Sequence, residues 1–93
     1  MKVKRVLGII GLMFKFKCPD VPYFVPLGPG NRSIHTWFMF FPIDLLFVDS
    51  AGVVLDRARL NPWGSYNPQN PDVVGAIEWL DLSGFSVGDK IAF

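Results

Sequence analysis

The sequence is poor in the residues from which most small catalytic and metal sites are built. It holds one cysteine, Cys18, and one histidine, His35, among 93 residues. A single cysteine excludes an intrachain disulfide, a two-cysteine redox pair and a multi-cysteine zinc site. Neither residue belongs to a local ligand pair of the kind that zinc sites use. We therefore expect no metal, no cofactor and no need for an oxidising compartment.

Charge is also scarce, since charged residues make up 18% of the chain against a usual share of about 25%. Residues 1–17 hold five basic residues and no acid, whereas the rest of the chain holds four basic and eight acidic residues. Five cations are few for a nucleic-acid footprint. We expect the N-terminal lysines to solubilise an apolar segment, and expect neither nucleic acid nor a membrane surface to be the partner.

No apolar run is long enough to span a bilayer as a helix, which takes about 20 residues. The N-terminal run covers residues 6–14 and is followed by lysines, with no small-x-small cleavage site. We therefore assign this run to the fold and expect a cytoplasmic location by default. Apolar spacing predicts a short helix over residues 5–14, although two glycines within it leave a strand as the alternative.

Extended segments dominate what is present. Residues 34–41 and 43–48 form two β-rich runs separated by Pro42, and both faces of these runs are mostly apolar, as in a strand buried on two sides. A hairpin turn is predicted at 49–52. Residues 61–72 read NPWGSYNPQNPD and predict a long irregular loop. The other strand candidates are 23–25, which its prolines would hold at a sheet edge, 53–60, 73–80 and, after a turn at 83–88, 89–93.

Many short strands with frequent turns predict a single domain over residues 1–93. We expect a mainly β fold, with α+β as the alternative. Its form would be a small barrel-like mixed sheet with one short N-terminal helix. Hydrophobic residues make up 51% of the chain, enough to build a core and to leave an apolar surface for a partner. We expect a monomer or a weak homo-oligomer.

Two segments resemble a known family. Residues 11–15 read GLMFK, and residues 33–49 read SIHTWFMFFPIDLLFVD. Both are similar to motifs of the prokaryotic domain-of-unknown-function family one-ninety-two, and the likeness extends from residue 11 to residue 93. The resemblance implies a compact small β-barrel with a short helix and an activity that is not established. It supplies no catalytic residue to carry over.

The six candidate site residues fall into three pairs. His35 is a candidate general base, and Asp44 would orient it if their strands pair. Trp63 and Tyr66 lie in the long loop and are candidates for stacking on a partner. The last two candidates, Arg57 and Arg59, share one face of a predicted strand and add positive charge near that loop.

A match to the G-x-S-x-G pattern at residues 84–88 is interpreted as a turn. The only histidine lies upstream of it, and five residues follow it, whereas a nucleophile elbow needs a helix and a later histidine.

These features favour a non-catalytic binding or accessory module with a protein or small-ligand partner. The alternative is a small hydrolase or isomerase that uses His35 and Asp44. The missing catalytic set makes us lean against an enzyme.

Overall fold

The computed structural model describes residues 3–5, 22–27, 33–35 and 41–92. These residues form seven strands and no helix, which confirms the mainly β prediction. In chain order the strands are β1 (Lys4–Arg5), β2 (Tyr23–Pro26), β3 (Ile34–His35), β4 (Ile43–Val48), β5 (Val54–Leu60), β6 (Ser65–Tyr66) and β7 (Gly75–Trp79).

The predicted N-terminal helix is not supported. Arg5, its first residue, lies in β1, and residues 6–14 lie outside the described residues. Among the residues that are described, no helix is long and apolar enough to cross a membrane.

Five strands form one sheet in the order β1-β2-β7-β4-β5, while β3 and β6 form a separate antiparallel pair. Within the five-stranded sheet β1 is parallel to β2, and the other three pairings are antiparallel. The sheet is open because its two outer strands, β1 and β5, do not pair with each other. A barrel needs that closing pair, so the barrel-like prediction is wrong for the described strands.

β4 is an inner strand of the sheet, between β7 and β5, and all six of its residues are buried. This confirms the prediction of a strand shielded on both sides over residues 43–48. The preceding run did not continue into it as one strand: β3 covers Ile34–His35 and pairs with β6. Residues 36–40 of that run lie outside the described residues.

Apolar side chains cover both faces of the sheet. Cluster one, on one face, contains Tyr23, Val25, Ile34, Ile43, Leu45, Phe47, Val73 and Ala76. Because Ile34 belongs to this cluster and Tyr66 packs against it, the β3–β6 pair lies over this face. Cluster two, on the other face, contains Phe24, Leu46, Val48, Val54, Ile77, Leu82 and Ile91, so the segment after β7 covers that face. The result is a layered β fold with two cores.

A β-bulge in β5 decides which of its side chains reach which face. The register with β4 shifts between Phe47 and Val48, so that Val48 pairs with Val54 and Phe47 pairs with Asp56. Leu55 is the extra residue. Simple alternation placed Val54 and Asp56 on one side, but the bulge puts Val54 in cluster two and turns Asp56 towards cluster one.

The hairpin turn between β4 and β5 is confirmed at residues 49–52. The Asp49 carboxylate accepts hydrogen bonds from the amides of Ala51 and Val53 at 2.9 and 3.0 Å. Gly52 has a φ of +85°, and a Cβ atom there would lie 2.5 Å from the carbonyl oxygen of Ile91. Only glycine fits this position.

Two strand predictions are wrong in detail. The segment at 23–25 is not an edge strand, because β2 lies between β1 and β7. Its proline, Pro26, is the last residue of the strand, where a missing N–H costs least. The predicted last strand is reduced to a single bridge between Val53 and Lys90.

Candidate functional site

Arg57 and Arg59 lie side by side on the exposed half of β5. Their cross-strand partners on β4 are Leu46 and Asp44, so both arginines stand on the face of cluster two. They border an open groove of about 730 Å³, which we call the arginine groove. It is lined by Asp44, Arg57, Ala58, Arg59, Leu80, Asp81 and Ser83. The sequence pattern found the two arginines and Asp44 but missed the wall from 80 to 83.

Asp44 forms the floor of the groove and is buried. One carboxylate oxygen accepts a hydrogen bond from Nη1 of Arg59 at 2.7 Å, and the other accepts one from the amide of Leu82 at 2.7 Å. Arg59 also donates from Nη1 to the carbonyl oxygen of Leu80 at 3.2 Å. A buried carboxylate needs such partners, since losing one leaves a charge in a dry environment. Asp44 therefore ties β5 to the segment after β7.

Arg57 has a different environment from Arg59. Its Nη1 donates to the carbonyl oxygen of Phe85 at 2.6 Å, which holds the guanidinium with a neutral group. In the part of the chain that the structure describes, the one salt bridge is that between Arg59 and Asp44. Among the described residues Arg57 is therefore the groove cation that forms no salt bridge, although Asp81 lines the same groove. A guanidinium carries five N–H donors in a planar fork, so several remain for a ligand.

The opposite wall of the groove is mixed in character. Leu80 is 44% exposed and offers an apolar surface beside the arginines. Asp81 is fully exposed and accepts a hydrogen bond from the amide of Ser83 at 2.9 Å. Hydrogen bonds from Ser83 hold the pKa of Asp81 below its ordinary value, helped by the nearby charge of Arg59. This wall therefore presents an oriented carboxylate, Asp81, next to an exposed apolar side chain, Leu80.

Trp63 lies in the turn that follows β5. Its φ of 65° is in the left-handed region, which is uncommon for a bulky residue. The turn is closed by a hydrogen bond from the amide of Gly64 to the carbonyl oxygen of Asn61 at 3.1 Å. The side chain is 62% exposed. The loop prediction holds here, although the following residues Ser65–Tyr66 form β6.

Tyr66 lies on the other side of the sheet from the groove. Its ring stacks on Phe47 with centroids 5.3 Å apart, and its hydroxyl donates to Asp56 at 2.6 Å. The hydrogen bond to Asp56 raises the pKa of Tyr66, with smaller contributions from burial and from the charge of Asp56. Tyr66 therefore helps to hold β6 on the sheet. The predicted surface is divided, because Tyr66 and the arginines occupy opposite faces.

The structure does not bring Asp44 to the face on which β3 lies. The backbone of His35 pairs with Ser65 in the β3–β6 pair, over cluster one. The side chain of His35 lies outside what the structure describes. The Asp44 carboxylate is on the opposite face, engaged by Arg59 and Leu82. The proposed pairing of His35 with Asp44 stays a prediction.

Glu78 is a buried polar residue that was not among the predicted site residues. It lies in β7 between Tyr23 of β2 and Leu45 of β4, on the face of cluster one, and is 6% exposed. Burial raises the pKa of Glu78 from 4.5 to about 7. The sequence did hold a signal of this burial: Glu78 is two residues after the apolar Ala76 in a predicted strand, so both side chains lie on the same face.

No group of three or more metal-ligating side chains occurs in residues 3–5, 22–27, 33–35 and 41–92.

Three archaeal proteins illustrate what the chain is similar to, and each is named a UPF0127 protein. The Pyrococcus furiosus protein is 33% identical over 93 residues, a match that covers 96% of this chain and 78% of the relative. The Pyrococcus horikoshii protein is 41% identical over 68 residues, covering 72% of this chain and 56% of the relative. The Thermococcus sibiricus protein is 37% identical over 67 residues, covering 66% of this chain and 42% of the relative. The chain thus spans about half the length of the last two relatives.

These relatives correct the family name that the motifs suggested. All of them carry the UPF0127 name, not that of the domain-of-unknown-function family one-ninety-two. No family model matches the chain. No solved structure matches it either.

Proposed function

The chain belongs to the UPF0127 family, and on that premise we propose that it is a single-domain, non-catalytic binding module whose ligand surface is the arginine groove. The ligand class that fits the groove is an acidic segment of a protein partner with apolar residues next to its carboxylates. The family name carries no activity, so the proposal rests on the chemistry of the groove.

The observation that supports this proposal most is the environment of Arg57. Its described side-chain contact is to a backbone carbonyl oxygen, and among the described residues it forms no salt bridge, at an open groove that Asp81 also lines. A carboxylate is the planar acceptor that a guanidinium fork binds with two hydrogen bonds. Leu80, exposed in the same groove, suits an apolar side chain beside that carboxylate.

The two arginines have different roles in this proposal. Arg59 compensates the buried Asp44 and keeps the groove in shape. Arg57 makes the principal side-chain contact with the ligand, because Arg59 already forms a salt bridge with Asp44. Trp63 lies in the turn after β5 and is the candidate for stacking on a longer ligand. Tyr66 is assigned to the packing of β6.

No observation favours the hydrolase or isomerase alternative. The carboxylate of Asp44 bonds to Arg59 and Leu82 on one face of the sheet, whereas the backbone of His35 lies over the other face.

The test is a binding titration with a blocked heptapeptide of alternating glutamate and valine, followed by amide chemical shifts of the labelled protein. We expect shifts centred on Arg57, Arg59 and Leu80, and weaker binding at high salt because exposed charges are screened. Arg57→Gln is expected to weaken binding about tenfold through loss of charge-assisted hydrogen bonds.

Lys90→Gln is the matched control, because it removes one exposed positive charge away from the groove. It is expected to change the affinity less than about twofold. Equal losses in the two variants would show a general charge effect and would refute a site at Arg57. A peptide with lysine in place of glutamate is expected not to bind.

A further inference from the structure

The outer edge of β5 presents backbone groups that point away from β4. The amide of Arg57 donates to the carboxylate of its neighbour Asp56 at 2.8 Å, so it does not face β4. An independent contact agrees: the carbonyl oxygen of Val48 accepts from Val74, which places the Val48 carbonyl on the β7 side of β4. In a strand successive residues bond to opposite sides.

This alternation of hydrogen-bonding direction tells which residues in this part of β5 bond to β4 and which face the outer edge. Because Val48 faces β7, Leu46 and Asp44 also face β7, and Leu45 and Phe47 face β5. Their partners on β5, Ala58 and Asp56, therefore bond inwards.

The backbone groups of Arg57 and Arg59 consequently face outwards, at the edge of the sheet. Among the contacts of the described residues, the carbonyl oxygen of Arg57 and both backbone groups of Arg59 have no partner at this edge. The start of the strand is different, since Val54 is bonded to Gly88 and Asp89.

We propose that the ligand of the arginine groove is an extended acidic segment of a partner protein, which adds to the sheet as an antiparallel strand beside β5. This inference rests on the proposed function and specifies how the ligand binds. Backbone hydrogen bonds to Arg59 would fix the register, and side chains would supply specificity, as in other strand additions.

Charge selects the occupant of this edge. In an antiparallel pair, residues directly opposite each other lie on the same face. An acidic residue opposite Arg57 would meet that guanidinium on the groove face, and a second one opposite Arg59 would meet the guanidinium donors other than Nη1, which is bonded to Asp44 and Leu80. Between them, an apolar residue opposite Ala58 would extend the face of cluster one, against which Ala58 already packs. The expected ligand therefore alternates acidic and apolar residues.

A second copy of the chain fits the same edge poorly. Antiparallel pairing of β5 with itself, centred on Ala58, would place Arg57 of each copy opposite Arg59 of the other. Like charges directly opposite are destabilising, and charged residues on an edge are a known protection against self-pairing. The charges on β5 therefore disfavour pairing with a second copy of the chain and favour pairing with an acidic strand.

The test compares two N-methylated forms of the glutamate–valine heptapeptide. If glutamates lie opposite Arg57 and Arg59, the glutamate amides face β5 and the valine amides face away. N-methylation of the glutamate amides is expected to weaken binding about tenfold or more, since it removes hydrogen bonds and blocks close approach. N-methylation of the valine amides is expected to have less than about a twofold effect, because those amides face solvent.

Amide hydrogen exchange gives a second readout on the unmodified protein. In the free protein the amide of Arg59 is expected to exchange much faster than that of Ala58, because only Ala58 bonds to β4. Bound peptide is expected to protect Arg59 and leave Ala58 unchanged.

The outcomes separate this inference from the proposed function. Equal binding of the two methylated peptides, with Arg59 still unprotected, would overturn strand addition while groove binding stands. Failure of the unmodified peptide to bind would overturn both. A concentration-dependent dimer that protects Arg59 without peptide would assign the edge to a second copy and overturn the acidic partner.

Discussion

Replacing Glu78 by glutamine is expected to remove a pH-dependent loss of stability from the protein. Glu78 is buried in β7 between two neighbouring strands, and burial raises its pKa from 4.5 to about 7. In the unfolded chain the carboxyl group ionises near its ordinary pKa. Between these two values the unfolded state is ionised while the folded state keeps its proton. Stability therefore falls as pH rises through this window and levels off above it.

The size of the effect follows from the two pKa values. The difference between 4.5 and about 7, at about 1.4 kcal/mol for each pKa unit, corresponds to about 3 kcal/mol. This is a large share of the stability of a small domain, which is typically about 5–15 kcal/mol. Glutamine has nearly the same volume and no charge, so Glu78→Gln keeps the packing and removes the slope.

The assay is chemical denaturation of both proteins at a series of pH values. At about pH 4 to 5 the two are expected to be similar in stability, and at about pH 8 to 9 the variant is expected to be more stable by about 3 kcal/mol. Asp72→Asn is the control, because Asp72 is exposed, and we expect it to change stability by less than about 0.5 kcal/mol. Parallel pH profiles for wild type and Glu78→Gln would refute the assignment of a buried, protonated carboxyl group.

Three further predictions concern single contacts. Asp44→Ala is expected to destabilise the protein by about 1–3 kcal/mol in denaturant titrations, because it leaves the buried amide of Leu82 without its acceptor, whereas Arg59 is exposed enough to stay solvated; a loss below about 0.5 kcal/mol would contradict the role of Asp44 as the groove floor. Gly52→Ala is expected to lower the free energy of unfolding by more than about 1 kcal/mol, measured by thermal unfolding. Gly84→Ala, whose added Cβ would meet no atom within 4 Å, is expected to be nearly neutral. Similar values for the two variants would refute the requirement for glycine at residue 52. Tyr66→Phe is expected to cost about 1 kcal/mol through the lost hydrogen bond. Absorbance titration of the wild type is expected to show that the pKa of Tyr66 is raised above 10, and an ordinary pKa for Tyr66 would argue against that bond.

The central part of the fold could be predicted from the sequence because each element carried a local signal. The apolar run at 43–48 predicted a strand buried on both faces, and β4 is such a strand. Asp49 and Gly52 predicted the turn that follows, since an acceptor side chain and a positive φ are what the turn needs. The strand at 73–80 was found as β7, shortened to five residues.

The fold predictions that were wrong depended on contacts between segments that are distant in the sequence. Open and closed sheets share the same short strands, so composition could not distinguish the open sheet from a barrel. The bulge at Leu55 leaves no mark in an alternating pattern, yet it sets which face Asp56 occupies. Likewise, Pro26 predicted an edge strand, whereas its place at the end of β2 allows an inner position.

The candidate site was predicted only in part, because local spacing was visible in the sequence and contacts between distant segments were not. Arg57 and Arg59 share a face, as their spacing of two residues in a strand requires. Asp44 was a candidate as the partner of His35. In the structure the register of β4 and β5 places Asp44 opposite Arg59, and the two side chains form a hydrogen bond. The wall at 80–83 was missed because only the folded chain brings it back to β5.

Calorimetric titration of the protein with the glutamate–valine heptapeptide, beside the same titration of Arg57→Gln, tests most directly whether this domain is a receptor for acidic strands. We expect heat of binding that saturates at one peptide per chain, and an affinity that falls about tenfold in the variant. Identical isotherms for the two proteins, or none for either, would mean that the guanidinium of Arg57 is surface charge without a ligand.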